Sequence, residues 1–441
     1  MKTLYPAQER ARDTLLAALA THGSALDASE TGLGKTVVAG HVAAISGRPV
    51  GIVCPKIVIP SWGRELKDAG VEPLFVLNYE KIRNGSTKWL SKKNKKMFSW
   101  NVPPDTLLIF DECHKLKNPR SQTAAMHIAA TNQGIATLNL SATAAVAAPD
   151  MRALGLALGL HSDRIRKPGI PTYETWLRKH GCFLDPWRNW KPGAKKHLLK
   201  IHEALFGGAV PKAVRLTVAD LPSAFQGNLV LSDPLDFGAE MRKAYDAAMD
   251  AFEIDPSDYK HLKPEQLEST AMLLEMSEAR QTAEMLKIQH MIDMTADLLD
   301  EGKSVAIFVN YKASLDALLE ALPDAAFIRG GQSAAEREHE VQRFQSDEAR
   351  VIVANIAAGG AGVSLHDVRG EFPRASLISP SFNLVELVQT LGRVYRNGMM
   401  TPCVQHVLIA EGTIEESIGE SLRKKMGNLS NLLDGGAESV Y

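Results

Sequence analysis

Seven short apolar runs, each closed by turn residues, constrain most strongly what this chain can fold into. Three of them, RPVGIVCP, DTLLIFDE and IATLNLSAT, fall before about residue 145, and four, KSVAIFVN, ARVIVANI, RASLISPS and QHVLIAEG, fall after about residue 303. Runs rich in Val, Ile and Leu with helical patterns between them are the signature of strands buried on both faces of a parallel sheet. Their uneven distribution predicts two α/β units with other material between them. A chain of 441 residues is also too long for one ordinary core.

Composition narrows the field further. Hydrophobic residues make up 45% of the chain, so it is globular. The 50 Lys and Arg nearly cancel the 51 Asp and Glu, so any basic footprint for a polyanion must be local. Charge is indeed segregated. Residues 164 to 215 hold twelve basic and three acidic side chains, and residues 236 to 301 hold six basic and sixteen acidic ones. The stretch between, LTVADLPSAFQGNLVLSDP, has turn and extended character and is the expected crossing between the halves, which places the units at 1–225 and 226–441. Met272, Met276, Met285, Met291 and Met294 lie on helical patterns and are expected to fill core space. Cys54, Cys113, Cys182 and Cys403 are far apart with no CxxC pair, which argues against a zinc ribbon or disulfide framework and for a reducing, intracellular setting. The N-terminus carries charges through its apolar positions, so it is neither signal peptide nor membrane span, and the protein is expected to be soluble with no membrane partner.

Two motifs carry chemistry. Residues 28 to 36 read ASETGLGKT, a glycine-rich loop ending in Gly-Lys-Thr. Between a strand and a helix, such a loop presents backbone N–H groups to phosphate. Thr31, Gly32, Leu33 and Gly34 would form the cradle, Lys35 would reach the β and γ phosphates, and Thr36 would place its hydroxyl on Mg²⁺. The alternative is an ordinary helix-start loop. A second GKS at Gly302 to Ser304 precedes a strand instead of following one and is excluded. In DECHKLKN, Asp111 stands at the carboxyl end of a buried strand, where open α/β sheets present ligands. There it would hold Mg²⁺, with Glu112 orienting and deprotonating the attacking water. A Cys113–His114 dyad is disfavoured, because adjacent strand-end residues point to opposite sides. His180, Cys182, His197 and His202 match no strong zinc spacing.

The ordered set YPAQ at 5 to 8, ETGLGKT at 30 to 36, DECHKLKN at 111 to 118 and SAT at 141 to 143 resembles the first motor lobe of superfamily 2 helicases. HKLKNPRSQ narrows the resemblance to the SNF2 family of DNA translocases, with a feel closest to its annealing-helicase branch. RGGQSAAEREHEVQRFQ, IAAGGAGVSL, QTLGRVYRNG and the C-terminal EGTIEESIGESLRKKMGNLSNLLDG follow in that family's order, so the likeness runs from Leu4 to Gly435. It implies an α/β fold of two RecA-like parallel-sheet lobes with helical insertions: a basic protrusion at about 160–215, an acidic insertion at about 236–300, and a C-terminal brace helix. By the same resemblance Gln8 recognises adenine. Ser141, Thr143, Gly360 and Gln389 couple nucleotide state to lobe movement, and Arg393 and Arg396 are arginine fingers. Pro55, Lys56, Tyr79, Asn310 and Gly359 are expected on the DNA-facing side. The chain departs from the family at Ser29 and Thr31, at Phe382-Asn383-Leu384 in place of Trp-Asn-Pro, at Tyr395 in place of histidine, and at Met399 after Gly398.

The resemblance therefore implies ATP·Mg²⁺-driven translocation on duplex or branched DNA, held mainly by its backbone. A strand-separating DNA or RNA helicase is the alternative within enzymes, and an ATP-inactive DNA-binding scaffold the alternative outside them. The basic segment from 175 to 208, with Trp176, Trp187 and Trp190, suits backbone tracking. KIRNGSTKWLSKKNKKM, with seven basic and no acidic residues, is expected as a surface loop near DNA. The sequence ends soon after LLDGG, an extent expected to leave no room for a chromatin-reading domain.

Overall fold

In the computed structural model, which describes residues 2–84, 87–94, 97–162, 169–186, 188–236, 238–251, 277–359 and 363–435, all seven apolar runs form strands. The chain divides into two units, Met1–Leu221 with Met426–Val440, and Pro222–Lys425. The boundary thus falls at 221/222 instead of 225/226, and the end of the C-terminal helix (Glu415–Leu433) belongs to the first unit, not to the second as expected.

The first unit contains β1 (Ser24–Asp27), β2 (Val50–Cys54), β3 (Phe75–Asn78), β4 (Leu90–Asn94), β5 (Met97–Trp100), β6 (Leu107–Asp111), β7 (Ala136–Leu140), β8 (Phe183–Leu184), β9 (Trp190–Lys191) and β10 (Ala213–Val214). Six of these form one parallel sheet in the order β10-β1-β7-β6-β2-β3. β1 and β10 are not among the apolar runs: SALD and AV are too brief to register as such, and the sheet alone reveals them. Ile52, Ile109 and Leu138 are fully buried in one core with Leu15, Val38 and Trp62. Each such aliphatic side chain contributes about 1.5–3 kcal/mol by leaving water. The register aligns the strand ends, since Asp27 and Asp111 both pair opposite Leu140.

The lysine-rich stretch after the helix Tyr79–Arg83 is an antiparallel hairpin, β4–β5, instead of the expected loop. LSKKN shows no apolar alternation, and tertiary contacts at the hairpin's base decide the outcome. Trp100 is buried, donates its indole N–H to the Met126 carbonyl at 3.0 Å, and exchanges backbone hydrogen bonds with the Gln133 carboxamide. Phe75 packs against both Trp89 and Trp100.

The second unit contains β11 (Asn228–Leu235), β12 (Ser304–Val309), β13 (Ala326–Ile328), β14 (Val351–Asn355), β15 (Arg374–Ile378) and β16 (Cys403–Ala410), all parallel in the order β11-β16-β15-β12-β14-β13. These two parallel sheets with their helices are RecA-like lobes. The segment expected as the crossing contains the boundary at 221/222, and its later part is β11, an edge strand, where Pro234 is tolerated. The acidic region also proves composite. Ile288, Met291 and Leu298 on the helix Ile288–Asp300 belong to the core, Met294 is packed against it, and Met285 is exposed. Met272 and Met276 lie outside the described residues. Between this helix and the preceding one, the fully buried Lys287 ammonium is held by both oxygens of Glu415 at 2.7 and 2.8 Å, by Ser379 Oγ and by the Leu408 carbonyl. Breaking such a pair from one side costs about 3–5 kcal/mol, because it strands a buried charge.

Candidate functional site

Three loops leave the carboxyl ends of the adjacent strands β1, β7 and β6: residues 28–34, 141–143 and 111–112. Sequence order separates them widely, and the sheet order brings the SAT loop between the other two. The carboxyl edge of a parallel sheet is where such folds bind ligands.

The first loop is shaped by Gly32 and Gly34, with φ of +79° and +81°, and Gly34 caps the helix Lys35–Ser46. A side chain at Gly34 would also collide with Gln8, whose Nε2 would lie 2.8 Å from an added Cβ. Gln8 is buried, donates to the Leu33 carbonyl at 2.8 Å and accepts from the Tyr5 N–H at 3.0 Å, so its carboxamide holds the loop from beneath. Lys35 Nζ donates to the carbonyls of Ser29 (2.7 Å) and Glu30 (2.8 Å). Burial lowers the Lys35 pKa, while the charges of Asp27, Glu112 and Asp111 oppose that shift. Asp27, which sequence reasoning missed, accepts from the Ser29 N–H at 2.9 Å, and burial raises its carboxyl pKa. Its only sequence signal is an acid at the end of a four-residue strand.

Asp111 is anchored from two sides. Trp62, on the helix Ile59–Asp68, donates its indole N–H to Oδ2 at 2.8 Å, and the Glu112 N–H donates to Oδ1 at 3.0 Å. Burial, then the charge of Glu112, pushes the Asp111 carboxyl well up from its ordinary value. Glu112 itself sits in the left-handed region (φ +55°), an uncommon place for a non-glycine residue and one found at functional turns. His114 Nδ1 lies 3.1 Å from Glu112 Oε2 and 3.2 Å from Ser141 Oγ, and Ser141 Oγ accepts from the Thr143 N–H at 3.2 Å. The histidine therefore links the acidic loop to the SAT loop. Cys113 is buried beside it, and burial raises its thiol pKa.

Thr36 and Asp111 supply one hydroxyl and one carboxylate, and among the described residues no cluster of three His, Cys, Asp or Glu could cage a metal. That sparse donor set fits Mg²⁺, which keeps several waters and takes further oxygens from substrate phosphates. It also leaves His180, Cys182, His197 and His202 without a metal-holding arrangement among the described residues.

In the second unit, Arg393 on the helix Leu384–Val394 is 4% exposed and donates to the Val363 carbonyl at 3.2 Å. Arg396 donates to the Gly392 carbonyl and to Ser364 Oγ, each at 2.7 Å. Both guanidiniums thus contact the segment that follows AAGGAG. Asn383, retained where its neighbours depart from the family, accepts from the Val385 N–H and starts that helix. Gln389 is half-buried on the same helix, and Gly360 lies outside the described residues.

The residues expected to face DNA are not alike. Lys56 is exposed just after β2, and Gly359 ends a short helix after β14. Pro55 is buried. Tyr79 is 1% exposed and donates its hydroxyl to the Asp111 carbonyl at 2.7 Å, so it supports the acidic loop from inside and does not reach a ligand at the surface. Asn310 is half-buried, its amide bound to Glu284 and to the Ser379 carbonyl, with Glu284 also accepting from the Asn310 and Tyr311 N–H groups. Trp176, expected to track a backbone, is buried against His161, Tyr173 and His180. Trp190 takes the Arg178 guanidinium on its face, and Trp187 lies outside the described residues. The basic hairpin was the better indication of an exposed cationic surface, with Lys88, Lys92 and Lys93 all exposed.

Residues 286–398 match the helicase conserved C-terminal domain. A protein of Acanthamoeba polyphaga mimivirus, provisionally named as an ATP-dependent RNA helicase, is 29% identical over 467 aligned residues, covering 99% of this chain and 84% of the relative. The SWI/SNF-related matrix-associated actin-dependent regulator of chromatin subfamily A-like protein 1 of Xenopus tropicalis is 25% identical over 94% of this chain, which spans 44% of that relative's length. A DNA repair and recombination protein RAD54-like of Drosophila erecta is 30% identical over 31% of this chain and 18% of its own length. Among the described residues no helix is long and apolar enough to cross a membrane.

Proposed function

We propose that this chain, an SNF2-type superfamily 2 helicase-like protein and an ATP-dependent motor, is a translocase that moves along or remodels duplex or branched DNA. The observation that carries the reading is the convergence of Lys35, Asp111, Glu112 and Ser141 on the carboxyl edge of one sheet, with His114 joining the last two. In the proposed mechanism the N–H groups of the glycine loop and Lys35 hold the phosphates of ATP. Thr36 and Asp111 would hold Mg²⁺, which would neutralise charge on the phosphates. Glu112 orients the attacking water and takes its proton. His114, bound to both Glu112 and Ser141, passes the change at the carboxylate to the SAT loop. Arg393 and Arg396 are proposed to stabilise charge on the transferring phosphoryl group.

Trp62 gives this mechanism a specific test. Trp62→Phe keeps most of the packing and deletes the donor that orients Asp111. Partners that orient a metal-binding carboxylate are typically worth about 10- to 100-fold in metal affinity. The half-saturating Mg²⁺ concentration for ATP hydrolysis should therefore rise by about that factor, read in a magnesium titration at saturating ATP. An unchanged titration would remove Asp111 from the metal site.

Support for DNA comes from the KLKN motif and from the name of the RAD54-like relative. The basic hairpin is the proposed contact for a phosphate backbone, because its aromatic base fixes a strand that presents Lys92 and Lys93 to solvent. Replacing Lys88, Lys92 and Lys93 with alanine should weaken binding to all duplex sequences alike. The slope of log affinity against log salt should fall by roughly 1 for each lysine on a phosphate. A salt titration that gives the same slope for both proteins would place the hairpin away from the nucleic acid.

The name of the mimiviral relative favours a second reading, a strand-separating RNA helicase. Triplex displacement on blunt duplex DNA beside strand displacement on partial duplexes of DNA and RNA distinguishes them. Triplex displacement without unwinding is expected, and robust unwinding without triplex displacement would overturn the assignment.

A further inference from the structure

Arg215 lies just past β10, and the segment it begins runs alongside the start of the glycine loop. Ala28 N–H donates to the Val214 carbonyl and Glu30 N–H to the Leu216 carbonyl, while Leu216 N–H donates to Ser29 Oγ and Val218 N–H to Glu30 Oε2, at 2.8 to 3.0 Å. The Arg215 side chain, 8% exposed, gathers four partners from three parts of the first unit. Its Nη1 donates to the Ala28 carbonyl at 2.6 Å and lies 3.5 Å from the carbonyl of Ala142 in the SAT loop. Its Nη2 lies 3.6 Å from Glu30 Oε1. The other edge of the guanidinium forms a two-pronged pair with Asp434, Nε to Oδ1 and Nη2 to Oδ2. Asp434 directly follows the C-terminal helix, whose last turn is fixed by its own bond from the Asp434 N–H to the Ser430 carbonyl and by His202 on the Leu432 carbonyl.

We infer that Arg215 is a positioning residue for the nucleotide loop, and that Asp434 sets its guanidinium, so that the end of the C-terminal helix tunes how tightly the chain holds ATP. The inference rests on the nucleotide-site reading above. A planar guanidinium can hold the forked pair with Asp434 and still direct Nη1 at the Ala28 carbonyl. Without Asp434, the nearest remaining carboxylate is Glu30, and the guanidinium turns toward it. Glu30 then loses its fixed place under Val218, and the loop that it begins loses its set.

The test uses the full chain with Asp434→Asn, Asp434→Ala, Asp434→Glu and Arg215→Lys. Binding of a fluorescent ADP analogue is measured beside steady-state ATP hydrolysis and thermal melting. Asp434→Asn and Asp434→Ala should weaken analogue binding and raise the KM for ATP by about three- to tenfold, within the usual range for coupling through a contact network, with a much smaller change in kcat. Asp434→Glu should recover most of the affinity. Arg215→Lys should behave as Asp434→Ala does, because an ammonium cannot make the fork and the carbonyl contact together. If the wild type binds the analogue and Asp434→Asn and Asp434→Ala match it within twofold, or if they lower only the melting temperature, this inference is overturned while the nucleotide site stands. If the wild type binds no nucleotide, both readings fall.

Discussion

Lys35→Ala should reduce ATP hydrolysis by roughly a hundred- to thousandfold, the usual consequence of deleting one preorganised charge stabiliser from an active site. The fold should survive the change. Burial already disfavours the charged ammonium, and its partners in the protein are the two loop carbonyls of Ser29 and Glu30, which remain able to meet water once the side chain is gone. Activity and stability therefore separate at this residue. Melting within a few degrees of the wild type, with turnover at background, is the expected pair of results. Turnover near the wild-type rate would mean that the glycine loop is only the start of a helix, the alternative that its sequence leaves open.

The largest effect is expected at Arg393 and Arg396. If both stabilise charge on the transferring phosphoryl group, each Arg→Lys change should lower kcat by about 10³ to 10⁵, with little change in the KM for ATP. Lysine is the informative substitution. Alanine at 393 would leave the Val363 carbonyl without its donor in a nearly closed environment, and the helix Leu384–Val394 would be disturbed for reasons unrelated to catalysis. Lysine keeps a charge and a long stem and loses the planar fork. Single-turnover hydrolysis at saturating ATP reads the chemical step. A loss below tenfold in both variants would reduce the two arginines to fasteners between the end of the helix Leu384–Val394 and Val363 and Ser364.

The legible part of the fold was the part written in continuous apolar runs. Strands such as LLIFD and SVAIFV are buried on both faces and carry their burial in their composition. SALD and AV are too short to do so, and NLVLSDPL, an edge strand, alternates with polar residues and contains a proline. The nucleotide loop was legible because backbone chemistry demands glycine and lysine at fixed spacing. Its supports were not. Trp62, Arg215 and Asp434 reach the site only through tertiary contacts, from 49 residues away for Trp62 and Asp111 and 219 for Arg215 and Asp434, and Asp27, two residues before Ser29, reads in the sequence as no more than an acid at the end of a short strand. Tyr79 shows the opposite error. An aromatic after a strand reads equally well as a ligand contact or a buried prop, and the hydrogen bond to Asp111 decides for the prop. In DECHKLKN the histidine gained most from the structure, since its position between Glu112 and Ser141 gives the motif a path to the SAT loop.

ATP hydrolysis by this chain is proposed to be stimulated by duplex DNA. The most direct test is the steady-state ATPase rate of the full chain, measured at matched nucleotide concentrations with blunt duplex DNA, forked DNA, single-stranded DNA and RNA, and with Lys35→Ala as the background. Stimulation by duplex or forked DNA, with RNA near the unstimulated rate, is the predicted result. Stimulation by RNA with none by duplex DNA would contradict it.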